Sequence, residues 1–111
     1  MSIDRLLAQS TVSDLDVARE WYERLFGRAP DATPMDGLLE WHLSDTFGVQ
    51  VWAEPDRAGR SSMVVDESDL DALAARLTAA GIADAAPEQA TSSRILRLDD
   101  PDGNRVVFTG P

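Results

Sequence analysis

Apolar and polar positions along the chain change period several times, and each change marks an element. Over residues 3 to 12 they alternate, with Leu7, Gln9 and Thr11 on one side and Leu6, Ala8, Ser10 and Val12 on the other. Period-two alternation predicts a strand, here one whose second face is buried. From Leu15 the period becomes helical: Leu15, Ala18, Tyr22, Leu25 and Phe26 fall on one stripe. Ser13 stands where a cap is needed, Asp14 and Asp16 lie near the positive end of the helix dipole, and Gly27 supplies a stop. Pro30 and Pro34 then permit only a short or edge strand, because proline cannot donate to a ladder. Residues 38–43 and 49–53 predict a hairpin around Ser44-Asp45-Thr46-Phe47-Gly48, with His42 opposite Gln50.

The same order returns after a connection at residues 54–60. Residues 60–66 read as a strand, and Ser68 precedes a helical stripe of Leu70, Leu73, Ala74 and Leu77 that Gly81 ends. Residues 82–89, broken by Pro87, match the weak strand. Residues 93–98 and 105–109 form a closing hairpin around Asp99-Asp100-Pro101-Asp102-Gly103-Asn104. The tetrapeptide Ser-Asp-Leu-Asp occurs at Ser13 and again at Ser68, and the same 55-residue offset pairs Leu43 with Leu98, Gly48 with Gly103 and Val51 with Val106. The expected fold is an α+β domain of two tandem β-α-β-β-β modules, residues 3–54 and 60–109, within one domain spanning 1–111.

Composition narrows what such a domain can do. At 111 residues one core is the natural outcome. The absence of cysteine excludes disulfides, thiolate nucleophiles and cysteine-ligated metals. No apolar run reaches the roughly 18 to 20 residues that span a bilayer, and the first residues lack a signal-peptide pattern, so a cytoplasmic location is expected. Twenty acidic residues against ten arginines give a net charge of −10, which repels nucleic acid and anionic membranes.

Val12-Ser-Asp-Leu-Asp leading into Trp21-Tyr22 and Leu25-Phe26-Gly27, with Asp100-Pro-Asp-Gly-Asn before the last strand, resembles the vicinal oxygen chelate superfamily, the group of glyoxalase I, bleomycin-resistance proteins and extradiol dioxygenases. The resemblance runs from Leu6 to Thr109. It implies two modules curled into a cup, frequent homodimers, and in many members a divalent metal held by His, Gln or Glu. Those ligand positions correspond here to Leu7, Ser62, Val107 and Trp52, or Gln50 if the strand is shifted by two. Leu, Val and Trp cannot coordinate a cation, so no metal cofactor is expected.

Alternation places Leu38, Glu40, His42, Gln50, Trp52 and Glu54 on the cup face of the first hairpin, and Ser93, Ile95, Arg97, Arg105, Val107 and Thr109 on that of the second. The candidate ligand-binding set is Gln9, His42, Gln50, Trp52, Arg97 and Arg105: an aromatic platform, hydrogen-bonding groups and two guanidiniums for an anion. The leading expectation is a metal-independent binding protein that holds a small organic molecule in the cup or at a homodimer interface. The alternative is a lyase, isomerase or dioxygenase-like enzyme using His42, the only histidine, with Glu40 for proton transfer. A regulatory partner protein with a vestigial cup is a third reading.

Overall fold

A computed structural model of the chain describes residues 1–82 and 86–111. Among the described residues, eight strands and two α-helices follow one another as β1 (Leu6–Val12), α1 (Leu15–Phe26), β2 (Ala32–Met35), β3 (Leu38–His42), β4 (Phe47–Ala53), β5 (Ser62–Asp66), α2 (Leu70–Ala79), β6 (Glu88–Gln89), β7 (Arg94–Asp99) and β8 (Arg105–Gly110). Each half builds its own four-stranded sheet, in the orders β1-β4-β3-β2 and β5-β8-β7-β6. The first strand of each module lies parallel to its last, and the hairpins are antiparallel. This is the duplicated α+β arrangement that the periodicity predicts.

Several boundaries differ from expectation. Residues 3–5 precede β1 rather than joining it, and the weak second-module strand is reduced to Glu88–Gln89; part of its predicted span, residues 83–85, lies outside the described residues. Both helices are capped one residue later than predicted. Asp14 accepts from the amides of Asp16 and Val17, and Asp69 from that of Ala72, because a carboxylate at this position is a strong acceptor for the unsatisfied first-turn donors. Ser13 is thereby freed for a different contact. The first hairpin also closes one step tighter: Ser44 Oγ accepts the amides of Thr46 and Phe47, and His42 pairs with Gly48 while Glu40 pairs with Gln50. The shift of two residues keeps every side chain on its predicted face.

The helix-facing sides of both sheets merge into one core. Val12, Leu39, Trp41, Val49 and Val51 meet Tyr22 and Leu25 of α1, while Met63, Leu96, Leu98, Val106 and Phe108 meet Leu70, Leu73 and Leu77 of α2. Trp41 is wholly buried against Tyr22 and Phe26, with ring centroids 6.0 and 5.5 Å away, and donates its indole N–H to the Arg28 carbonyl at 3.0 Å. Arg76 of α2 donates to the carbonyls of Arg24 and Leu25, satisfying the open end of α1 and joining the helices.

A buried polar seam locks the modules. Asp100 Oδ2 accepts from the Tyr22 hydroxyl and from Asn104 Nδ2, each at 2.8 Å, and its Oδ1 accepts the amides of Asp102 and Asn104, each at 2.9 Å. Asn104 Nδ2 also donates to the Thr11 carbonyl at 2.7 Å, and Ser61 Oγ accepts the Thr11 amide at 3.1 Å. Ser13, relieved of capping, donates to Asp102. The predicted turn is therefore also the clasp that fixes β1 against the second module.

Candidate functional site

Three strands of the first sheet carry the site. Parallel pairing sets Gln9 of β1 beside Gln50 of β4, and antiparallel pairing sets Glu40 of β3 on the other side of Gln50. All three point away from α1, with His42 two residues along β3 and Trp52 two residues along β4. The side chains form a continuous chain of bonds: Gln9 Nε2 to Gln50 Oε1 at 3.1 Å, Gln50 Nε2 to Glu40 Oε2 at 2.6 Å, and His42 Nε2 to Glu40 Oε1 at 2.9 Å. Trp52 donates its indole N–H to Glu54 at 2.9 Å.

Glu40 is the electrostatic centre of this group. It is only 6% exposed, yet the hydrogen bonds from His42 and then Gln50 outweigh its desolvation and hold the carboxyl below the usual carboxylate range. The His42 side chain is 35% exposed, so one edge of the imidazole remains open. Its main chain is clamped: the His42 amide donates to Asp31 at 2.7 Å, Arg28 bonds the His42 carbonyl, and Arg28 also pairs with Asp31 at 2.8 Å. That amide bond, with Arg28 beside it, lowers the Asp31 pKa. A His positioned by a buried carboxylate is equipped to accept or relay a proton as well as to bind.

Arg97 and Arg105 stand apart from this constellation, on the cup face of the second sheet. Both are exposed. Arg97 lies 3.8 Å from Glu88, Arg105 is paired across the ladder with Asp99, and together these residues border a cavity of about 280 Å³. Four of the five first-module candidates, Gln9, Gln50, Glu40 and His42, thus join in one hydrogen-bonded chain with Trp52 beside it on β4, while the two arginines form a second group.

Strand pairing also decides between the two counterparts of Val107. Val107 lies between Val64 and Arg97 as Gln50 lies between Gln9 and Glu40, so Gln50 is its equivalent, and the hairpins correspond two residues beyond the offset of the helices. The positions where related proteins would hold a metal are then Leu7, Gln50, Ser62 and Val107. Two of them have no donor atom, and a divalent ion needs several converging donors, so this set does not fit one. Among the described residues no group of three or more His, Asp or Glu side chains could hold an ion.

Residues 2–108 match the model of the Glyoxalase/Bleomycin resistance protein/Dioxygenase superfamily. The chain belongs to this superfamily. A glyoxalase/bleomycin resistance protein from Catenulispora acidiphila superposes with a TM-score of 0.89 at 28% identity, over 96% of this chain and 97% of that one. An antibiotic binding protein from a Streptomyces species, TnmS3, gives 0.80 at 26% identity over 100% and 98%. A bleomycin-binding protein solved with bleomycin gives 0.80 at 22% identity over 97% and 98%, a likeness of fold. No curated protein matches. Within the superfamily frame, no helix of the described residues is long and apolar enough to cross a membrane.

Sequence reading missed two parts of the site's support. The clamp of Arg28 and Asp31 on His42 follows from a three-residue spacing in a loop, for which no pattern existed. The buried seam left a clue: Ser10 lies on the apolar face of β1 and Tyr22 on the apolar stripe of α1, and buried hydroxyls require partners. They find each other at 2.8 Å.

Proposed function

We propose that the protein is a metal-independent small-molecule-binding member of the superfamily, holding its ligand on the cup face of the first module. The observation that carries this reading is the Gln9–Gln50–Glu40–His42 chain beside Trp52, which offers polar groups in fixed orientation next to an aromatic wall on a face the core does not use. Likeness to an antibiotic binding protein at 26% identity supports it. The donor-poor Leu7, Gln50, Ser62 and Val107 set supports metal independence.

A homodimer is part of the proposal. Leu6, Phe47 and Val64 are 73, 51 and 67% exposed and border an apolar cavity of about 360 Å³ with Ala8, Val49 and Met63. A second copy would remove this surface from water and cover the flank of β1, which carries Gln9.

The 2.9 Å contact between His42 and Glu40 favours one second reading, an isomerase or lyase. His42 Nδ1 would take a proton from an acidic substrate carbon, Glu40 would stabilise the imidazolium, and the same proton would return to a different substrate atom.

A thermal-shift screen of small organic molecules, run with a series of divalent ions, tests the proposal. An organic ligand at about 100 times its Kd stabilises by roughly 2.7 kcal/mol, a shift of several degrees, with or without chelator. Stoichiometric stabilisation by one divalent ion, abolished by chelator, would overturn metal independence. Size exclusion at falling concentration tests the dimer, which a monomer at micromolar concentration contradicts.

A further inference from the structure

Hydrogen-bond polarity on the first module's cup face is dictated by a single residue. An ionised carboxylate can only accept, so Gln50 must turn its amide nitrogen toward Glu40, at 2.6 Å. Its carbonyl oxygen is then left to accept from Gln9 Nε2, at 3.1 Å, and the exposed end of the chain is Gln9 Oε1. The other arm obeys the same rule. A neutral His42 gives its Nε2 hydrogen to Glu40 and keeps Nδ1 as a lone-pair acceptor. Trp52 commits its only donor to Glu54. Apart from second amide hydrogens on Gln9 and Gln50, these residues offer a ligand acceptors: Gln9 Oε1, His42 Nδ1 and the Glu54 carboxylate.

Charge points the same way. Among the described residues, His42 is the one cationisable group within 4 Å of the Glu40 carboxylate, and no arginine pairs with it. A carboxylate this buried, hydrogen-bonded by an imidazole and a neutral amide and with Arg5 acting on it only from beyond ion-pair distance, lacks an adjacent full countercharge. Trp52 stands two residues along β4 from Gln50, about 7 Å at strand rise, close enough for one small ligand to touch both.

Resting on the ligand site proposed above, we infer that this face selects a molecule carrying a protonated nitrogen beside a planar ring, an aryl amidine or arylalkylamine, and that Glu40 sets the selection. The nitrogen donates to the outward acceptors under the field of Glu40, and the ring lies against Trp52, where cation–π attraction adds to stacking. Glu40 acts as a positioning residue: it orients Gln50, Gln9 and His42 and supplies the charge.

Calorimetric titration with benzamidinium, neutral benzamide and benzoate, followed by NMR of the Gln9 side-chain amide and the Trp52 indole, tests the inference. Benzamidinium is expected to bind roughly tenfold or more tighter than benzamide, the size of one charge-assisted bond, with benzoate weakest. In Glu40→Gln that ratio falls several-fold, the Glu54 carboxylate remaining, whereas Glu20→Gln, which removes an exposed charge on α1, leaves it unchanged. Should Glu40→Gln fail to fold by circular dichroism, Gln9→Met on the exposed rim replaces it and is expected to weaken benzamidinium several-fold. A ratio that survives these changes, or a preference for benzoate, overturns the inference. If benzamide and benzoate shift the Gln9 and Trp52 signals while benzamidinium gains nothing, the ligand site stands and its charge selection fails; if no probe shifts them, both fail.

Discussion

Removing the Asp100 carboxylate should be among the most damaging single changes to this fold. Its two oxygens receive four hydrogen bonds, at 2.8, 2.8, 2.9 and 2.9 Å, and two of the donors, the Tyr22 hydroxyl and Asn104 Nδ2, belong to side chains with no solvent exposure. In Asp100→Ala the Tyr22 hydroxyl can turn to Ser10, and Asn104 keeps its bond to the Thr11 carbonyl. What is lost is a charged acceptor for one buried hydroxyl, one amide hydrogen and two backbone amides. At about 1 to 3 kcal/mol for each donor left buried and unpaired, and with the exposed turn at Asp102 able to recruit water, the expected cost is about 3 to 5 kcal/mol. That is a large share of the roughly 5 to 15 kcal/mol a domain possesses. Tyr22→Phe should cost about 1 to 2 kcal/mol, and the double mutant less than the sum, because both changes break the same bond. Urea denaturation followed by circular dichroism reads these values. If Asp100→Ala lowered stability by under 1 kcal/mol, or if the two changes were additive, the seam would not be the clasp described.

Two further outcomes follow from local geometry. Glu40 has a depressed folded-state pKa, so its contribution to stability is present above the ordinary carboxylate range and is lost as pH falls through the folded value. Glu40→Gln should flatten that acid limb in urea midpoints taken from pH 7 to pH 3; since Asp31 and Asp71 titrate with the same sign in both proteins, the difference curve isolates Glu40, and parallel curves would refute the assignment. Gly48→Ala would drive a Cβ into the Trp41 carbonyl oxygen and to 2.9 Å from the Leu7 side chain, in the ladder between His42 and Leu7. A loss of about 2 kcal/mol or more is expected in thermal unfolding, from backbone displacement rather than lost contacts.

Much of the architecture was legible because backbone requirements leave periodic marks. Alternation in β1, the helical stripe through Tyr22 and Leu25, and the glycine after α1 each reflect a local rule, and repetition of the series made the modules visible. Even the mistaken hairpin register kept Glu40, His42, Gln50 and Trp52 on their correct face, since an error of two residues does not change the parity of a strand. What was illegible depended on distance in sequence. Asp100 lies 78 residues from Tyr22, and Asn104 lies 93 from Thr11. No spacing rule links them, and a turn signal strong enough to explain Asp-Pro-Asp-Gly-Asn concealed its second role. The same holds for Arg28 and Asp31, whose interest lies in what they grip rather than in their own pattern.

Duplication has preserved the frame and released the face. Helix caps at Asp14 and Asp69, positive-φ glycines at Gly27 and Gly81, and apolar ladders under both helices answer the same structural demands in each half. On the opposite side of the sheets the equivalent positions share no chemistry: Gln9, Glu40, His42 and Gln50 in the first module correspond to Val64, Arg97, Asp99 and Val107 in the second. A relay of amides ending on a buried carboxylate cannot be rebuilt from two valines and an arginine. Because each sheet separates its cup face from the core, this divergence leaves packing intact, and the amide–carboxylate network of the first module has no counterpart at the equivalent positions of the second. The lack of donors at Leu7 and Val107 belongs to the same history: nothing in the core requires a ligand atom there.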